Sequence, residues 1–135
     1  MSVSTVPTNI ILHAQSKQLQ LDYANGESFK LPAEFLRVLS PSAEVKGHGP
    51  GQEKLQVGKI DVAIKGVEAV GNYAVKLIFS DGHNSGIYTW DYLFDLAHKQ
   101  ELYWNDYLAE LEKQGGSRDI IGVVKWAAPA KKPTA

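Results

Sequence analysis

Four imidazoles, a few carboxylates and one glycine-rich loop are the groups in this chain whose types suit chemistry. The histidines are His13, His48, His83 and His98, and no His-x-x-x-His or Glu-x-x-His spacing puts two ligands on one helix face. His48 and His83 fall in glycine-containing loops, where binding groups concentrate. If the fold joins those loops, the two imidazoles could hold iron or zinc with a carboxylate such as Asp81 or Asp91. If it does not, they are ordinary loop residues. His98 lies near an expected helix C-terminus, where a cation is mildly favoured, and His13 stands at a strand end. Asp81, Asp91 and Asp95 show no acid–base spacing and read as turn, first helical turn and solvated helix face. Gly47, Gly49 and Gly51 leave backbone N–H groups open to an anion, but the Lys-Ser/Thr ending of a phosphate-binding loop is missing and turn composition explains the glycines. The chain has no cysteine, so a disulfide, a zinc–thiolate site and a thiol nucleophile are all excluded.

Aromatic residues form a second group. Tyr88, Trp90, Tyr92 and Phe94 are interleaved with Thr89, Asp91 and Leu93, and Asp95 follows. Base-stacking runs in nucleic-acid binders carry basic residues between the rings, and acidic interleaving points to core packing for Trp90 and Phe94. Trp104 and Tyr107 lie on one helical stripe, which either faces a protein partner or packs on the sheet. The balance of 14 basic and 15 acidic residues, a formal charge of −1, gives no reason to expect nucleic acid or an anionic membrane. Apolar runs such as Ile10-Ile11-Leu12 are too short to span a bilayer. Residues 1–8 lack a basic start and an apolar stretch, so the cytoplasm is the expected location.

These groups need elements to hold them. The length of 135 residues, 44% hydrophobic, fits one domain. Gln18 to Tyr23 alternate, with Leu19, Leu21 and Tyr23 on one face, which is a half-buried strand. Thr8 to His13 precede it. Asn25-Gly26 suits a tight hairpin turn leading to a partner strand from Ser28 to Leu31. Pro32 fits the first turn of a short helix through Phe35, Leu36 and Leu39, ended at Ser40-Pro41-Ser42. Residues 46–52 read as loop. Asp61 to Val70 and Asn72 to Ser80 alternate as a hairpin, with a bulge expected near Gly66. A short strand from Ser85 to Tyr88 follows. Thr89 then caps a helix, and a second helix carries Trp104, Tyr107, Leu108 and Leu111 until Gly115-Gly116. Asp119 to Trp126 read as a last strand or docking segment. The expected fold class is α+β, a mostly antiparallel β-sheet with two or three helices packed on one side. The expected organisation is a flexible leader at 1–8, a domain at 9–113, and an extension at 114–135 with a disordered end.

Two stretches carry a resemblance. One is Phe29-Lys30-Leu31-Pro32-Ala33-Glu34-Phe35-Leu36-Arg37-Val38-Leu39-Ser40-Pro41-Ser42-Ala43-Glu44-Val45-Lys46-Gly47-His48-Gly49-Pro50-Gly51, and the other runs from Val70 to Leu93 and contains Gly86-Ile87-Tyr88-Thr89-Trp90-Asp91-Tyr92-Leu93. Together they resemble small bacterial proteins of the gamma-butyrobetaine hydroxylase-like N-terminal domain family. In the hydroxylases that domain precedes an oxygenase and holds a structural zinc by three cysteines and a histidine. The matching positions here are Ser40, Ser42, Val45 and His83, so the resemblance implies that only the histidine is kept. A structural zinc wants four N/S ligands, and the zinc role does not carry over intact. The oxygenase half is not in this chain, so the resemblance implies a non-enzyme with no cofactor. The domain also resembles an extension on some P-loop iron–sulfur carriers, which implies a protein partner such as an iron–sulfur assembly factor. The surface expected to meet it lies around Arg37, His48, His83 and Asp91, with Tyr88 and Trp90 beside it. The alternative is a metal protein using His48 and His83 with a carboxylate.

Overall fold

The computed structural model describes residues 5–42, 45 and 55–118. Among the described residues, two three-stranded antiparallel sheets and three helices share one main core, which is an α+β arrangement. The first sheet runs β1 (Asn9–His13), β2 (Gln18–Asp22), β3 (Ser28–Pro32), in that order. Alternation along β2 turns Leu19 and Leu21 fully inward while Gln18, Gln20 and Asp22 stay half-buried. Each fully buried leucine contributes about 1.5–3 kcal/mol relative to exposure.

The β2–β3 connection is the hairpin turn that Asn25-Gly26 indicated. Tyr23 and Glu27 pair, with the Tyr23 N–H donating to Glu27 O at 2.9 Å, so the loop is Ala24-Asn25-Gly26. Only Gly26 has positive φ there, at 93°, as in three-residue hairpin loops that close on a left-handed residue. Pro32 sits one step earlier than expected. It ends β3 in extended geometry and flanks α1 (Ala33–Val38), all six residues of which are buried.

The second sheet runs β4 (Ile64–Val70), β5 (Ala74–Phe79), β6 (Ile87–Thr89). Its register shifts between Ile64 and Gly66, where the sequence indicated a bulge. Alternation in β5 buries Val75, Leu77 and Phe79 against Leu19, Leu21, Leu31, Phe35 and Leu36. β6 passes directly into α2 (Trp90–His98), where Thr89 Oγ1 accepts the Tyr92 N–H at 3.2 Å and caps the helix. α3 (Gln100–Gln114) follows. Its Tyr107 and Leu111 are buried with Val38 and pack on Leu55 and Val57, and Trp104 meets Phe35 with ring centroids 6.2 Å apart. The Trp104–Tyr107 stripe is therefore a packing face. The chain then turns back, and Gly58 and Ile60 donate their N–H groups to Ser117 O and Arg118 O.

The readings of residues 46–52 as loop, of 119–126 as strand and of the last residues as disordered lie outside the described residues. No helix among the described residues is long and apolar enough to cross a membrane.

Candidate functional site

The C-terminal end of α1 is where Arg37, His83 and Tyr88 meet. A helix leaves its last carbonyls without intrahelical partners, and here two distant phenols supply them. Tyr88 donates its hydroxyl to Leu36 O and Tyr92 donates to Leu39 O, across 52 and 53 residues of sequence. The aromatic run of β6 and α2 thus caps a helix from another part of the chain. Burial raises the Tyr88 phenol far above its usual range against the lowering effect of nearby Ser40, and burial pushes Tyr92 up to about 12. Both stay protonated donors at any ordinary pH.

Arg37, on the same helix, is 7% exposed. Its Nε donates to Asp81 Oδ2 at 2.9 Å, and another guanidinium nitrogen donates to Gln56 Oε1 at 3.0 Å. Lys59 Nζ reaches the same Asp81 oxygen at 2.8 Å, and the other oxygen accepts the His83 N–H at 3.2 Å. Burial pushes the Asp81 carboxyl up, but Lys59, the His83 amide and Arg37 outweigh it and hold the group down at about 2. A buried arginine needs such a partner, because an uncompensated charge in the interior costs several kcal/mol.

Next to this ion cluster lies a hydroxyl–imidazole cluster. Ser40 Oγ is 2.8 Å from His83 Nε2, and it also accepts the Ser42 N–H at 3.3 Å. Ser42 Oγ is 2.6 Å from Ser85 Oγ. Ser40 is fully buried and His83 is 5% exposed. Gly86 makes this closeness possible, since a Cβ there would stand 2.3 Å from Ser40 Oγ. Buried polar groups are costly unless paired, and these residues pair with one another.

That arrangement does not fit the structural zinc of the resembling hydroxylases. Three of the four matching positions offer hydroxyl or apolar side chains, Val45 being buried, and the imidazole nitrogen Nε2 of His83 is engaged by Ser40. No group of three or more His, Cys, Asp or Glu side chains suited to a metal occurs among the described residues.

Arg37, His83 and Tyr88 therefore come together, but inside the protein. Trp90 and Asp91 lie elsewhere, at the start of α2, in an open cleft of about 350 Å³ shared with Thr5, Tyr73 and Thr89. His48 lies outside the described residues, so its distance from His83 is not defined. His98 ends α2. Its Nδ1 donates to Phe94 O at 2.9 Å and its Nε2 lies 3.0 Å from Glu27 Oε1. The Phe94 carbonyl first, and Glu27 and Asp95 after it, raise its pKa above 6.5 against a smaller effect of burial. His13 pairs with Gln20 on the neighbouring strand at 2.7 Å.

Sequence reasoning missed a third polar contact. Glu34, 7% exposed, receives two hydrogen bonds of 2.7 and 2.8 Å from Arg118, whose guanidinium lies 5.2 Å from the Trp104 ring centroid. Glu34 looks like an ordinary first-turn carboxylate, and nothing local in the sequence marks its partner 84 positions away.

Comparison with known proteins places the whole architecture. The sequence pattern described as gamma-butyrobetaine hydroxylase-like, N-terminal, matches residues 10–94. A protein solved by solution NMR is 54% identical, with 90% of this chain and 97% of that chain covered at a TM-score of 0.75. A second NMR structure is 45% identical over 93% of this chain and 97% of that one, at a TM-score of 0.71. A crystal structure of a protein of unknown function of the DUF971 family from Acidithiobacillus ferrooxidans is 38% identical, covering 72% of this chain and 98% of that one, at a TM-score of 0.60. No curated protein matches.

Proposed function

The chain belongs to the gamma-butyrobetaine hydroxylase-like, N-terminal family, and we propose that it works in the cytoplasm as a non-enzymatic adaptor that binds a protein of iron–sulfur cluster assembly. One observation supports this above the rest: the side chains best suited to chemistry are engaged with each other inside the domain. Ser40 and His83 resemble a nucleophile and its base in type and distance, yet Ser40 is fully buried and His83 nearly so. A catalytic pair must reach a substrate atom. Arg37 likewise neutralises Asp81 rather than facing outward. The network gives a rigid scaffold, and recognition falls to the surface that the scaffold shapes. The class of partner comes from the resemblance to extensions on P-loop iron–sulfur carriers.

The test is direct. The full chain is mixed with a purified P-loop iron–sulfur carrier and followed by calorimetry and size-exclusion chromatography, with metal content measured in parallel. A 1:1 complex from chain containing substoichiometric metal is the expected result. Absence of a complex overturns the partner. Stoichiometric iron or zinc that disappears in His83→Ala overturns the adaptor reading in favour of a metal protein.

A further inference from the structure

We propose that the cleft at the start of α2 is a receptor for a single arginine side chain of a partner protein. The inference rests on the reading of the chain as a protein-binding module and says where and how the partner is gripped.

The cleft is built at one end of the second sheet, where the β4–β5 turn lies beside the end of β6. Tyr73 closes the β4–β5 turn and is 54% exposed. The main chain of that turn is tied to α2, since the Trp90 N–H donates to Tyr73 O at 3.2 Å. Trp90 also donates its indole N–H to Asn72 O at 2.8 Å. The indole is thereby fixed by its polar edge while part of the ring remains accessible. Asp91, the next residue, is exposed. Its Oδ1 accepts the Thr5 hydroxyl at 2.6 Å, and no cation pairs with it among the described residues. A fixed indole, an exposed phenol ring and a carboxylate with no counter-charge among the described residues thus line one cleft of about 350 Å³.

Those three groups together specify the ligand chemistry. Aromatic faces attract cations, and a planar guanidinium can stack on a ring while directing its N–H groups at a carboxylate. An ammonium offers a point charge without the stacking plane, so arginine should be preferred to lysine. The N-terminus of α2 opposes any cation here, but it carries only about half a positive charge against the full negative charge of Asp91. An anionic ligand would meet Asp91 directly and is disfavoured. One arginine in an open cleft binds weakly on its own, with a dissociation constant on the order of millimolar, and gains strength only as part of a larger interface.

Weak binding of this kind is measured by ¹H–¹⁵N NMR titration of the full chain with Nα-acetyl-arginine amide. Nα-acetyl-citrulline amide, the neutral isostere, is the control. The expected result is saturable movement of the Trp90 indole N–H and of the Thr89 and Asp91 amides with arginine, and binding at least about tenfold weaker for citrulline. Asp91→Asn, with the rest of its spectrum unchanged, should abolish the response, Tyr73→Ala should weaken it, and added salt should screen it. Equal responses to arginine and citrulline, or an Asp91→Asn titration like that of the wild type, overturn the proposal. A complex with the iron–sulfur carrier but no arginine response sinks the cleft and leaves the adaptor standing. An arginine response without that complex sinks the assigned partner and leaves the cleft.

Discussion

The end of α1 and the start of α2 carry the same kinds of side chain in opposite states. Both have serine or threonine hydroxyls, aspartate and tyrosine or tryptophan. At the end of α1, Ser40 is fully buried, and Arg37 and His83 nearly so. Water cannot solvate them, so each must be paired, and the pairs Arg37–Asp81, Ser40–His83 and Tyr88–Leu36 result. At the start of α2, Tyr73 is half-exposed and Asp91 exposed, so solvent meets the needs that protein groups meet elsewhere. The difference teaches that residue type does not separate scaffold from binding surface here. Burial does, because a desolvated polar group cannot leave its partner without penalty, while a solvated one can exchange water for a ligand.

The largest effect should come from closing the space beside Ser40. Gly86→Ala puts a Cβ within 2.3 Å of Ser40 Oγ, with Tyr88 Cε1 at 3.3 Å and Pro41 Cδ at 3.4 Å also near. Ser40 is a short side chain without slack, so the backbone must shift, at a cost of about 1–3 kcal/mol or more. Thermal or urea unfolding reads this directly, and a Gly86→Ala midpoint equal to wild type would show that the loop does not clasp Ser40. Ser40→Ala alone deprives buried His83 Nε2 of this partner and should cost about 1–3 kcal/mol. The two changes should not add. The clashing atom is the serine oxygen, so the double variant should lose less than the sum, a coupling of roughly 0.5–3 kcal/mol in a double-mutant cycle. A chelator should leave the wild-type midpoint in place, since hydrogen bonds join these residues.

A smaller effect concerns acid. The folded-state carboxyl of Asp81 is held below its ordinary 3.8, at about 2. A depressed carboxylate contributes stability that is present above 3.8 and is lost as pH falls toward the folded value. Between those limits wild type should lose stability more steeply than Asp81→Asn, which keeps the loop but not the charge. Parallel curves for the two proteins would show that ionisation of Asp81 does not support the end of α1.

Local structure is readable from residue order because its causes are local. Alternation in Gln18 to Tyr23 sets one face inward, Thr89 is followed at the right distance by the amide it caps, and the bulge near Gly66 follows from a broken alternation. The β2–β3 hairpin is likewise legible, because Asn25-Gly26 supplies the positive φ at Gly26 that its turn needs. The site is less legible. Arg37 and Asp81 are 44 positions apart, and the phenol of Tyr88 finds a carbonyl 52 positions away. Such pairs depend on how whole elements pack, which side-chain spacing does not encode. The resemblance does bring Ser40, Ser42 and His83 to attention together, and the structure joins them in a hydrogen-bonded cluster.

The smallest expected effect on stability is at the other region, and its smallness is what would sharpen the contrast. Asp91→Asn removes a charge favourable to the α2 N-terminus, and the Thr5 hydroxyl can still donate to the remaining amide oxygen. Cap and packing stay, because Thr89 holds the Tyr92 N–H and Trp90 holds Asn72 O independently of Asp91. The melting temperature should therefore move by no more than about 4 °C, while the arginine response disappears. Ser40→Ala should do the reverse, lowering the midpoint and leaving the arginine response of the folded protein unchanged. If Asp91→Asn instead destabilises the protein to the same extent that Ser40→Ala does, its carboxylate is part of what holds the fold together, like the buried groups, and the cleft is not available to a ligand.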